Sequence, residues 1–156
     1  QIKKLNKIIS DKQKVAKKLI ENLKKIKGLI TPILKKNSTN AFYVFALKID
    51  TNIIKVSKKK IVNELQRRGI PIKGKYSNLH LLPIFKFKKA YSQNNFPWSI
   101  NKSKKYIYKI GDCPISEEMN ERAYMGLNMW KYNYSNKDVN YIIKSFHQVW
   151  KILKIN

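Results

Sequence analysis

The sequence predicts an α+β domain: a small three- to four-stranded, mostly antiparallel sheet covered by helices on one face, with a long N-terminal connector helix. Three observations predict it. Apolar residues recur with a helical period in well-separated segments, the β-branched and aromatic runs between them are short, and the elements alternate with few crossovers.

Ile2, Leu5, Ile9, Ala16, Leu19, Leu23 and Ile26 recur at helical spacing with Lys between them, and Gly28 stands where a left-handed cap ends a helix. Residues 2–27 therefore read as one amphipathic helix. After Pro32 and a polar stretch, residues 41–49 (AFYVFALKI) carry the β-branched and aromatic content of a buried strand. Ser57 is placed to cap a helix with Ile61, Val62 and Leu65 on its inner face and Gly69 as its stop, and residues 70–73 follow as a second strand. Residues 74–105 show no sustained period and contain Pro83, Pro97 and Asn94-Asn95, which marks a long excursion of the kind that carries function or disorder. Pro114 suits the first turn of a helix running to Arg122, since its missing N–H costs nothing there. Residues 124–129 read as a third strand. Ser135 and Asp138 form a capping-box-like start for a last helix lined by Val139, Ile142, Ile143, Phe146, Val149, Trp150 and Leu153.

Composition narrows the function. The 156 residues hold 34 Lys plus Arg against 9 Asp plus Glu, a formal charge of +25. Of these cations 31 are Lys and 3 Arg, although the Arg fork suits phosphates and base edges better. With 22 Ile and 16 Asn, this usage fits an AT-rich codon bias. Yet the charge is uneven: +14 over residues 1–60, +10 over 61–110 and +1 over 111–156, so the first two thirds present a cationic surface. Between Lys73 and Lys109, nine Lys interleave with eight aromatics, the pattern of a single-strand nucleic-acid binder. The plainer reading, in which the rings anchor a long loop and the Lys heads reach solvent, is favoured over nucleic-acid binding.

Other classes are excluded or disfavoured. The longest apolar run is seven residues, far short of the roughly 20 of a membrane span, so no membrane partner is expected. The single Cys113 permits no internal disulfide, which fits a reducing, cytoplasmic setting. His80, His147 and Cys113 lie at no chelating spacing, so no metal site is expected. Cys113 and His147 are read as structural. The five Gly are scattered singly, which leaves no phosphate-binding loop. Position 1 is Gln, so the chain is expected to be a fragment, a processed product or a trimmed piece.

The most informative stretch is residues 69–85 (GIPIKGKYSNLHLLPIF), where a strand ends in Gly-Lys-Tyr and leads to Leu79-His80 and Pro83. Ionisable and phenolic groups gathered at a strand end are typical of a site built on a scaffold. Taken alone, the segment leaves open whether Tyr76 and His80 bind substrate or only satisfy loop backbone.

A strand, a helix ending in Leu-x-x-x-Gly-Ile, then Tyr76, Leu79-His80 and Pro83-x-Phe85, resembles the C-terminal small domain of the DegT/DnrJ/EryC1/StrS sugar aminotransferases. Cys113-Pro-Ile-Ser-Glu117, followed by a helix, a short strand and a closing helix, is similar to a second motif of that family. The Gly-Lys-Tyr form and the Cys-Pro start look nearest the cyclitol and aminohydroxybenzoate branch. The resemblance spans roughly residues 10–154. It implies a part of a pyridoxal-phosphate enzyme of the aspartate-aminotransferase fold that moves an amino group from glutamate or glutamine to a keto-sugar or keto-cyclitol, working as a homodimer. On that resemblance residues 1–28 are the connector helix, residues 29–156 the small domain, and Lys75, Tyr76 and His80 the substrate contacts. Lys75 and Ser77 depart from the His and Pro that many members carry around the Tyr. The large domain, which in the family supplies the Schiff-base Lys and holds pyridoxal phosphate, is missing, so the chain alone is expected to be inactive and to hold no cofactor; its partners are that domain or a partner subunit. The alternative is a stand-alone, non-catalytic binding module whose cationic face takes an acidic protein or nucleic acid.

Overall fold

A computed structural model describes residues 2–88, 90, 96–100 and 107–155. The chain divides into two compact units, residues 1–75 with 122–156, and residues 76–121.

The first unit is an α+β layer built on a four-stranded antiparallel sheet in the order β1-β2-β4-β3. Its strands are β1 (Leu29–Ile30), β2 (Val44–Ile49), β3 (Ile72–Lys73) and β4 (Tyr124–Asn128). In β2, Phe45, Leu47 and Ile49 are buried while Ala46 and Lys48 are exposed, so a period of two sends one face to the core. Phe45 pairs with Leu127 and Leu47 with Met125 across β2 and β4, and Ile72 pairs with Leu127 across β3 and β4. The apolar face is therefore continuous over the three strands.

Three helices bury their inner stripes in this unit: α1 (Ile2–Leu23), α2 (Lys58–Arg67) and α5 (Asn136–Ile152). Ala16, Leu19 and Leu23 of α1 are fully buried, as are Ile61 and Leu65 of α2 and Phe146 and Val149 of α5. Each large apolar side chain so placed contributes about 1.5–3 kcal/mol over an exposed one. The caps are those the sequence specifies: Ser57 accepts from the Lys60 N–H, and Ser135 and Asp138 form a full capping box. At the far end of α5 the Trp150 indole donates to the Lys27 carbonyl at 3.0 Å, tying α5 to the turn after α1.

Two glycines are required by their positions. Gly28 has φ +71°, and a Cβ there would meet the Ile54 side chain at 2.7 Å. Gly126, in the middle of β4, lies beneath the Tyr124 ring, where a Cβ would sit 2.9 Å from both Tyr124 Cζ and Val44 Cγ1.

The observed elements are shorter than the sequence suggests in four places. α1 ends at Leu23 and reaches Gly28 through turns. β2 starts at Val44 and not at residue 41, because Asn40 Oδ1 accepts the Phe42 N–H at 2.7 Å and Phe42 turns to φ +48°. β3 is two residues long, since Pro71 has no N–H to give a ladder. The helix from Pro114 ends at Glu118 and passes into a π-helical turn, Met119–Ala123. The two-residue β1, held by Leu29 opposite Ile49, was not predicted at all.

The second unit contains a 3₁₀ turn (Leu79–Leu81) and two short helices, α3 (Pro83–Lys86) and α4 (Pro114–Glu118). Phe85 meets Trp98 and Tyr108 edge-on, with centroids 6.3 and 6.5 Å away. These rings pack on one another within the unit. Lys89, Tyr91, Lys102, Lys104, Lys105 and Tyr106 of the interleaved pattern fall outside the described residues.

Candidate functional site

The two segments that carried the sequence argument meet in the second unit. The chain leaves β3 through Gly74 and Lys75, and the Tyr76 N–H donates to Asn120 Oδ1 at 2.7 Å. Ser116 donates its hydroxyl proton to Asn78 Oδ1 at 3.2 Å. The 3₁₀ turn then carries His80 inward to 9% exposure, where Nε2 lies 2.8 Å from Glu117 Oε1.

Glu117 is the organising group. Its carboxylate accepts the Gly111 N–H on both oxygens at 3.0 and 2.9 Å, and the Cys113 N–H on Oε1 at 3.2 Å. Donation from the Gly111 N–H, chiefly, holds the carboxyl below the usual carboxylate range; Cys113 and His80 act in the same sense and partial burial opposes them. An ionised carboxylate only accepts, so the His80 nitrogen facing it donates. The 79–81 turn and the start of α4 are thus joined through one carboxylate.

Of the predicted contacts, Lys75 is exposed and Tyr76 is 60% exposed, while His80 is buried against Glu117. Lys75 closes the first unit in sequence; Tyr76 and His80 belong to the second. His80 and Glu117 hold the 79–81 turn against the start of α4. Sequence reasoning quoted Glu117 only as part of a motif and passed over Asn120; the signal for Glu117 was a carboxylate four residues after Cys113, within reach of the N–H groups that precede a Pro-initiated helix. Cys113 and His147 are exposed, and no group of three metal-ligating side chains occurs among the described residues. No helix among them is long and apolar enough to cross a membrane.

The model of the DegT/DnrJ/EryC1/StrS aminotransferase family matches residues 1–126. The chain belongs to that family. Its fold is similar to that of the aminotransferase TlmJ from Streptoalloteichus hindustanus, at TM-score 0.70 and 18% identity, over 98% of this chain and 34% of that one. A DegT/DnrJ/EryC1/StrS aminotransferase from Brucella abortus matches at TM-score 0.65 and 21% identity over 94% of this chain and 32% of its own. The uncharacterized protein MJ1066 of Methanocaldococcus jannaschii is 29% identical over 97 residues, 62% of this chain and 25% of that protein. The chain thus spans a quarter to a third of the relatives it matches. The protein Spr1654 from Streptococcus pneumoniae, assigned as a sugar aminotransferase and solved in its PMP-form, is similar in fold at TM-score 0.65 and 15% identity, over 98% of this chain and 33% of that one.

Lys12, a buried lysine, does not match the needs of a pyridoxal-phosphate cofactor. A Schiff-base lysine requires an accessible amine in a pocket, with an acidic partner for the pyridinium nitrogen. Buried Lys12 instead gives its ammonium to the Tyr132 carbonyl and to Asn133 Oδ1, and burial lowers its pKa. Asp50, Asp112 and Asp138 accept from Asn52, Lys109 and Ser135 within their own turns.

Proposed function

We propose that this chain is the C-terminal small domain of a pyridoxal-phosphate-dependent sugar or cyclitol aminotransferase, inactive by itself, with residues 1–28 as connector helix. The observation that supports this most is the meeting of the Tyr76–His80 segment with the Cys113–Glu117 segment through Glu117. Both segments carry the family resemblance, and Asn120, just after the helix that Glu117 anchors, accepts the Tyr76 N–H. In this reading Lys75 and Tyr76 contact the keto substrate and His80 positions the turn. The large domain, or a partner subunit, supplies the Schiff-base lysine and the cofactor cradle, and the amino donor is glutamate or glutamine. The intact enzyme is a homodimer of the cytoplasm.

The test has two arms. The chain incubated with pyridoxal phosphate is expected to show no internal-aldimine absorbance; a stable aldimine overturns the claim of inactivity. In a parent containing the large domain, Tyr76→Phe and Lys75→Ala are expected to raise KM for the keto substrate while cofactor absorbance is unchanged. Unaltered kinetics in both remove these residues from the site.

A further inference from the structure

A groove lies wholly within the first unit, between the first half of α1 and the loop that leads into α5. Its volume is about 780 Å³, and it follows α1 from Lys4 to Val15, about 17 Å or three helical turns. Neither residues 69–85 nor the Cys113–Glu117 segment lines it, so the inference below does not rest on the aminotransferase reading.

The helix side of the groove is cationic above and aliphatic below. Lys4, Lys7, Asp11 and Lys14 are spaced by three or four residues, which puts them on one face of α1, and all four are exposed along the rim. Asp11 is the one acid in the lining and lies 3.9 Å from Lys14, so three ammonium groups face one carboxylate. Ile8, 48% exposed, and Val15 follow each other at a spacing of seven and supply an aliphatic strip. The opposite wall, residues 133–136, carries no charged side chain. Buried Lys12 ties the two walls together through the Tyr132 carbonyl and Asn133 Oδ1, so the groove stands formed in the free chain.

We infer that this groove docks an acidic amphipathic helix of a separate protein. Its Asp or Glu side chains meet Lys4, Lys7 and Lys14, and its aliphatic side chains lie over Ile8 and Val15, whose i, i+7 spacing matches one face of a docked helix. Charge complementarity selects this occupant. A second copy of the chain brings the same +25 and is repelled. A phosphate backbone gains nothing from the aliphatic strip, and a bilayer surface cannot follow a concavity walled on both sides.

The test is a fluorescence-anisotropy titration of the full chain against a labelled Glu/Leu amphipathic peptide of about 15 residues, long enough to form a helix on docking. Saturable binding that weakens as salt is added is expected. The same peptide with Ser for Leu should bind about tenfold more weakly, as should the Glu/Leu peptide to the Lys4→Glu, Lys7→Glu double variant, and Ile8→Ser should weaken binding about fivefold. Lys24→Glu with Lys25→Glu, the same change of charge at exposed positions beyond α1, is expected to leave binding intact. Lys4, Lys7 and Ile8 are all exposed, and unchanged far-ultraviolet circular dichroism certifies the fold of each variant. No saturable binding, equal binding of the Leu-free peptide, or equal weakening by the two double variants overturns the inference, as does tighter binding of oligodeoxythymidylate or phosphatidylglycerol vesicles that Ile8→Ser leaves unchanged. In a parent containing the large domain the affinity should be the same; its loss there places the groove under that domain and overturns the assignment to a separate protein.

Discussion

The two units are held together by different physics. Among the described residues every buried apolar side chain belongs to the first unit, which closes a continuous core between three helices and one sheet face. Among the described residues of the second unit, His80 alone is buried, and its order comes from the Phe85 ring contacts and from hydrogen bonds converging on Glu117. Apolar burial is non-directional and tolerates small movements, whereas a carboxylate clamp fixes a few atoms and leaves the surrounding surface open. The first unit is a scaffold, and the second orders its polar groups through hydrogen bonds, chiefly those to Glu117.

That contrast can be broken from either side. Phe45→Ala removes a fully buried ring facing Leu127 and is expected to cost about 3–5 kcal/mol, read as a lower urea midpoint for the first unit. Gly126→Ala forces a Cβ against Tyr124 and Val44 and is expected to cost about 1–3 kcal/mol in the same measurement. Ser145 sits 1% exposed on α5 with no hydrogen-bond partner for its hydroxyl, so Ser145→Ala should stabilise the first unit by about 1 kcal/mol. An unchanged or lower midpoint would show that the hydroxyl has a partner in solution.

Glu117→Gln has the smallest expected effect on global stability and sharpens the contrast most. Amide exchange should accelerate at Gly111, Cys113 and residues 79–81 while the β2 and β4 amides keep their protection. The pH dependence has a definite sign. The Glu117 carboxyl is depressed below its ordinary 4.5, so its contribution is complete above that value and lost as pH falls through the folded-state pKa. Protection at Gly111 should fall in that acid window in the native chain and be flat in Glu117→Gln. A wild-type profile as flat as the variant's would remove Glu117 as the anchor.

What could be read from the sequence follows the same division. α1, α2 and α5 were legible because their apolar residues keep a 3.6-residue period, and their caps at Ser57 and Ser135 are local in sequence. β1 was not, because two residues carry no period and Leu29–Ile30 is a strand only by pairing with β2. The 3₁₀ turn and α3 were hidden in the excursion for the same reason. In the candidate site, Tyr76 and His80 stood out as residue types, but Glu117 acts across 37 positions of sequence, and no local pattern connects it to His80.

α1 carries a further consequence. Its 22 residues make a rod of about 33 Å, yet none before Lys12 is buried, and Ile2, Leu5 and Ile8 are all exposed. The roughly ten residues ahead of Lys12 are a helical segment of marginal stability in water by themselves, so those first turns are only as firm as whatever rests on them. The amides of residues 6–8, the first on the helix with an intrahelical partner, therefore act as a built-in gauge. Their exchange rate, measured against that of Ala16 on the same helix, reports the fraction of molecules in which the exposed end is covered, without any label.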